Sequence, residues 1–170
     1  MELAFGRFML RPVMGCITEE ESNEVRDMWV GERVLAETEA ARRTREVLYL
    51  IREGPTGKLA GVCTVYPGPL GETGRIYWHF RMFMRSSHRG VSGLPRFILF
   101  ASHSYLKETT LPGAEGVRGI VVVAENPAFR RHRFREHFAK QKPPWILFGT
   151  DPEGCDIFYR DFGDGQGLGK

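Results

Sequence analysis

Along residues 75–85 apolar and polar side chains alternate, with Ile76, Trp78, Phe80, Met82 and Met84 on one face and Tyr77, His79, Arg81, Phe83 and Arg85 on the other. A period of two predicts a strand whose one face is core and whose other lines a cleft. The pattern changes after Arg89-Gly90-Val91-Ser92-Gly93. From Pro95 through Phe97, Ile98, Leu99, Phe100 and Ala101 to Tyr105 and Leu106 the apolar positions recur at helical spacing, and Pro95 suits only a first turn. A strand that breaks into a glycine turn and then opens a helix leaves backbone N–H groups at the positive end of the helix dipole, which suits a phosphate. The same turn also serves as a plain connector.

Elsewhere the pattern predicts a first strand over Phe5 to Val13, then a helix capped by Thr18 with Glu19, Glu20 and Glu21 in its first turn and Val25, Met28 and Trp29 as its apolar stripe. A second helix, sparse in apolar residues, is expected from about Gly31 to Arg45. Val47 to Ile51 and Leu59 to Tyr66 flank Gly54-Pro55-Thr56-Gly57 and read as a hairpin, and a loop over Pro67 to Gly74 follows. Ile120 to Ala124 is a short, wholly apolar strand, and Asn126-Pro127 supplies an N-cap and first position for a helix ending before Pro143-Pro144. Trp145 to Phe148 and Ile157 to Phe162 close the order as a second hairpin around Asp151-Pro152-Glu153-Gly154. The order is that of an α/β chain with a mixed sheet, in which the glycine turn and the Asn126 turn end consecutive strands, where ligands of such sheets gather.

The 170 residues suit one domain over 1–162, with a Gly-rich flexible tail over 163–170. A net charge of +3 favours an anionic ligand without requiring nucleic acid. Cys16, Cys63 and Cys155 are odd in number and lack a Cys-x-x-Cys pair, which argues against a disulfide framework and a zinc knuckle and for a reducing compartment. No apolar run approaches the roughly 20 residues of a membrane helix. Glu2 and Arg7 interrupt the start where a secretory segment needs an apolar core. A cytoplasmic protein with no membrane partner is the expectation. Whether a second copy makes a homodimer is left open.

Three places in this order resemble the GNAT superfamily of acyl-CoA N-acyltransferases: Arg11-Pro12 at the end of a first strand, Arg89 to Gly93 at the pyrophosphate loop, and Asn126 with Phe138 around the late helix. The resemblance spans Arg11 to Phe162 and implies a central, mostly antiparallel sheet flanked by about four helices. It also implies acetyl-CoA, or another acyl-CoA, as cofactor and an amine-bearing acceptor, whether small molecule, protein or nucleic acid. The family's loop pattern is Gln/Arg-x-x-Gly-x-Gly/Ala; from Arg89, Ser92 and Leu94 stand where small residues belong, and from Gly90 as first glycine, Ser87 replaces the basic residue. Cofactor contacts implied by the family fall on Phe83 and Met84 backbone, on Arg89, Gly90, Val91, Ser92 and Gly93, and on Asn126. The family's Tyr that protonates the leaving thiolate is matched by Arg133, which stabilises a thiolate electrostatically but does not give up its proton.

Transfer to an amine needs a base, a polarised carbonyl and a route for one proton. His79, on the polar face of the strand before the turn, is the candidate base; its alternative is a hydrogen bond within the sheet. Glu125 at the next strand end is the second base, or an exposed charge. Tyr159 is the substitute acid, or a packed strand residue. Arg81 and Arg85 are candidates for an acidic acceptor, or ordinary surface arginines. The run containing Arg130, Arg131, Arg133 and Arg135 is either a solvated helix face, a phosphate contact, or a surface for a nucleic-acid backbone. A catalytically silent module binding a protein partner is the remaining alternative.

Overall fold

The computed structural model describes residues 2–54, 57–111, 113–125, 132–141 and 144–163. Eight strands share one sheet: β1 (Leu3–Phe5), β2 (Phe8–Pro12), β3 (Val47–Glu53), β4 (Leu59–Pro69), β5 (Ile76–Met84), β6 (Val117–Val123), β7 (Ile146–Thr150) and β8 (Asp156–Asp161), in the order β1-β2-β3-β4-β5-β6-β8-β7. The helices are α1 (Glu19–Gly31), α2 (Glu37–Arg43), α3 (Leu94–Glu108) and α4 (His132–Ala139), so the architecture is the expected mixed α/β one. β5 and β6 run parallel, which α3 makes feasible by carrying the chain back between them. The pairs β1/β2, β2/β3, β3/β4, β6/β8 and β7/β8 are antiparallel.

The chain divides into two compact units, residues 1–65 with 81–102, and residues 66–80 with 103–170. In the first, α1 starts on a capping box: the Glu21 N–H donates to the Thr18 hydroxyl at 3.2 Å while the Thr18 N–H donates to the Glu21 carboxylate at 3.0 Å. The expected stripe Val25, Met28 and Trp29 is buried, against Val13, Val47, Leu50, Leu59 and Val62. Arg33 ends α1 at φ 56, a left-handed position that glycine fills more cheaply, and the Val34 N–H reaches back to the Trp29 carbonyl at 2.9 Å. In the second unit Leu70, Tyr77, Val121 and Tyr159 form an apolar cluster. His103 on α3 is buried, donates from Nε2 to the Asp161 carbonyl at 3.2 Å, and has its pKa pushed down to about 4 by burial.

Several boundaries differ from the sequence reading. Phe5 to Val13 is a hairpin, because Gly6 at φ 57 turns the chain between β1 and β2. The second helix is shorter, α2 giving way to a 3₁₀ turn over Thr44–Glu46. β4 runs on through Pro67 and Gly68 to Pro69. Both faces of β5 pack, Tyr77 and Trp78 alike being buried, so the strand does not divide into one core face and one open face. At Gly61 on β4 a Cβ would lie 2.4 Å from the Phe83 carbonyl oxygen and 3.1 Å from the Met84 Cα; only a bare backbone fits there.

Candidate functional site

Beyond Met84 the chain is pinned residue by residue. The Arg85 N–H donates to the Ala60 carbonyl at 2.8 Å and its Nε to the Leu59 carbonyl at 2.8 Å. A 3₁₀ turn, Ser86–His88, follows. The Ser86 N–H donates to the Glu32 carboxylate at 3.3 Å, and His88 Nε2 meets the Glu53 carboxylate at 3.1 Å. Arg89 folds back: its Nε donates to the Met84 carbonyl at 2.9 Å and its guanidinium lies over the Phe83 ring, 5.5 Å from the centroid. Gly90 at φ 83 and Gly93 at φ 82 then shape the turn, torsions at which a side chain is strained. Phe5 seats the far end, 3.3 Å from where a Gly93 Cβ would be and tilted against Phe97 with ring centroids 5.0 Å apart.

α3 begins where the Phe97 N–H bonds the Gly93 carbonyl at 2.9 Å. Among the described residues, no group accepts a hydrogen bond from the N–H of Gly90, Val91, Ser92 or Gly93. These donors precede the positive end of the α3 dipole, an arrangement suited to an anion. Leu94, bulky where the GNAT pattern has a small residue, is 1% exposed, so its side chain is spent on the core. Ser92 is exposed. The donor set thus fits a pyrophosphate despite the irregular motif.

His79 is half-buried on β5, stacked on Tyr66 at 4.9 Å, with Nε2 3.1 Å from the Pro69 carbonyl. A carbonyl only accepts, so Nε2 carries the proton and Nδ1 is the basic nitrogen of the neutral ring. Gly68 makes room for that ring, since a Cβ there would stand 3.1 Å from two of its atoms. Glu125 is exposed past the end of β6, its N–H donating to the Val123 carbonyl at 3.0 Å. Tyr159 is 2% exposed and packs edge-on against Tyr77 at 5.6 Å, inside the apolar cluster. Asn126, Arg130 and Arg131 lie outside the described residues, as does the side chain of Arg133. Arg135 forks onto Asp156, Nε to Oδ2 at 2.6 Å and a terminal nitrogen to Oδ1 at 2.5 Å, and Asp156 is buried.

Arg81 and Arg85, the candidates for an acidic acceptor, are about a third exposed (37% and 33%) and pair within the first unit, Arg81 with Glu46 at 3.6 Å and Arg85 with Glu32 at 3.9 Å. Sequence reasoning missed Glu32 and Glu53 as the braces of the turn. They stand 54 and 35 residues from their partners, with no local signal to mark them.

No family model matches the sequence, and no curated protein matches it. Solved structures do match the fold. The ribosomal-protein-S5-alanine acetyltransferase of Vibrio fischeri superposes with a TM-score of 0.61 at 10% identity, over 98% of this chain and all (100%) of that one. An acetyltransferase of the GNAT family from Bacillus anthracis gives 0.52 at 12%, over 94% and 96%. The NatB acetyltransferase complex bound to CoA and MES gives 0.50 at 12%, over 89% and 96%. Among the described residues no helix is long and apolar enough to cross a membrane. Superposing on these structures over nearly its whole length, the chain has the fold of the GNAT acetyltransferases.

Proposed function

We propose that the chain binds an acyl-CoA, acetyl-CoA before others, by the pyrophosphate at Gly90–Gly93 and transfers the acyl group to an amine. The observation that carries this reading is the set of four N–H groups at the head of α3 that no described residue engages. Arg89 supports it. With Nε bonded to the Met84 carbonyl and its carbon over the Phe83 ring, the guanidinium is held beside the turn, ready to add charge to an anion the backbone cradles.

The bound thioester supplies the electrophilic carbonyl. His79 takes the proton of the attacking amine at Nδ1, because Nε2–H is committed to the Pro69 carbonyl and fixes the tautomer. Glu125 is the second acceptor for that proton, through solvent. Tyr159, enclosed in the core, is given no part in protonating the thiolate; Arg133, at the family's Tyr position, stabilises that charge. The free thiols of Cys16, Cys63 and Cys155 favour a reducing, cytoplasmic setting. Calorimetry with CoA and acetyl-CoA tests the proposal. Binding with a dissociation constant below about 1 mM is expected, and no heat at that concentration sinks it.

A further inference from the structure

A different chemistry stands just upstream of the turn. Ser87 Oγ is 2.8 Å from His88 Nδ1, and His88 Nε2 is 3.1 Å from Glu53 Oε2. The direction of both hydrogen bonds follows from the groups themselves. A carboxylate only accepts, so the proton of a neutral His88 ring is on Nε2; Nδ1 is then an acceptor, and the Ser87 hydroxyl must be the donor. Every bond runs from serine to histidine to glutamate, the polarity of an activated nucleophile.

The surroundings hold this arrangement in place. Arg7 pairs with the other Glu53 oxygen at 3.0 Å, so the carboxylate is fixed from both sides. The His88 side chain is only 14% exposed and meets Phe8 edge-on at 6.2 Å, which limits its rotation and its access to water. Ser87 itself is exposed, open to a reactant. Its N–H donates to no described residue, which leaves one backbone donor beside the hydroxyl for an oxyanion.

We propose that Ser87 is a nucleophilic serine that takes an acyl group from activated acyl esters. Its oxygen attacks the ester carbonyl carbon as the hydroxyl proton passes to His88 Nδ1. The C–O bond to the leaving group breaks, the leaving oxygen collects that proton, and an acyl-serine and an alcohol result. Water then attacks the acyl-serine with the same nitrogen as base, releasing a carboxylic acid and restoring the hydroxyl. No cofactor enters either half, so the proposal stands or falls apart from the acyl-CoA reading.

The full chain is incubated with p-nitrophenyl acetate, nitrophenolate release is followed, and the acetylated residue is located by peptide mass spectrometry. Acetylation at Ser87 is expected, absent in Ser87→Ala and slowed about a hundredfold in His88→Gln. Glu53→Gln, nearly isosteric, is expected to slow it about tenfold, and serves as the second test should His88→Gln fail to fold, as judged by circular dichroism. Acetyl groups confined to lysines, or equal rates at Ser87 in wild type and either relay variant, would overturn the proposal.

Discussion

Two glycine-bearing turns illustrate opposite uses of a bend after a strand. At Asp151–Gly154 three donors in and beside the turn are taken up locally: the Asp151 N–H goes to the Cys155 carbonyl at 2.9 Å, the Gly154 N–H to the Asp151 carbonyl at 3.0 Å, and the Cys155 N–H to the Asp151 carboxylate at 2.7 Å. At Gly90–Gly93 the opposite holds, with no described acceptor for four consecutive N–H groups. Both turns contain glycine at positive φ, 78 at Gly154 and 83 at Gly90, so glycine content does not tell them apart. What separates the two turns is where the backbone donors go, and the Asp151 carboxylate takes up one of them in the closed turn.

The contrast can be broken by substitution. Gly90→Val puts a β-branched side chain at a torsion it resists and into space where no described atom lies within 4 Å, so it obstructs the approach to the turn rather than the core. A loss of CoA affinity of about a hundredfold, about 2.7 kcal/mol, is expected from calorimetry, with the melting temperature lowered by roughly 5 °C by the strained torsion. Unchanged affinity would make the open turn a connector like its counterpart.

Acidity sets the range in which the two turns can be compared. His103 is held neutral by burial, its value pushed down to about 4 from an ordinary 6.5. Between those values the unfolded chain binds the proton that the folded chain refuses, so stability is full above about pH 6.5 and falls as the pH drops toward 4. A loss of about 2 kcal/mol across that window is expected in urea titrations, and His103→Gln should flatten it. A wild-type profile without that slope would refute the burial argument.

The smallest effect sharpens the comparison from the closed side. Asp151→Ala removes the carboxylate that caps the Cys155 N–H and should cost about 1 kcal/mol of stability, read by chemical denaturation, while CoA affinity stays the same. A change in affinity would show that the closed turn is more than a connector.

The features legible in the sequence are those whose cause lies within a few residues. Thr18 and Glu21 announce their capping box by spacing, the Val25, Met28 and Trp29 stripe announces the buried face of α1, and the glycines before Leu94 announce the turn ahead of α3. What stayed hidden depends on partners far along the chain. The braces Glu32 and Glu53, and the pairs of Arg81 with Glu46 and of Arg85 with Glu32, exist only once the first unit has packed. The Leu94 side chain counts against the motif when read as a letter, yet its burial clears the turn. A hairpin hidden inside Phe5 to Val13 went unread because Gly6 alone, without a second turn residue, marks it.

Gly61 and Gly90 also set different terms for how this sequence can drift. At Gly61 the restriction is volume: a Cβ would press on the Phe83 carbonyl, and no substitute is smaller. At Gly90 it is torsion alone, and asparagine or aspartate, which visit left-handed backbone most readily, are the next cheapest residues. A chain of this fold can therefore change the letters of its glycine turn while keeping the open backbone donors there, because those donors depend on torsion and not on side chains.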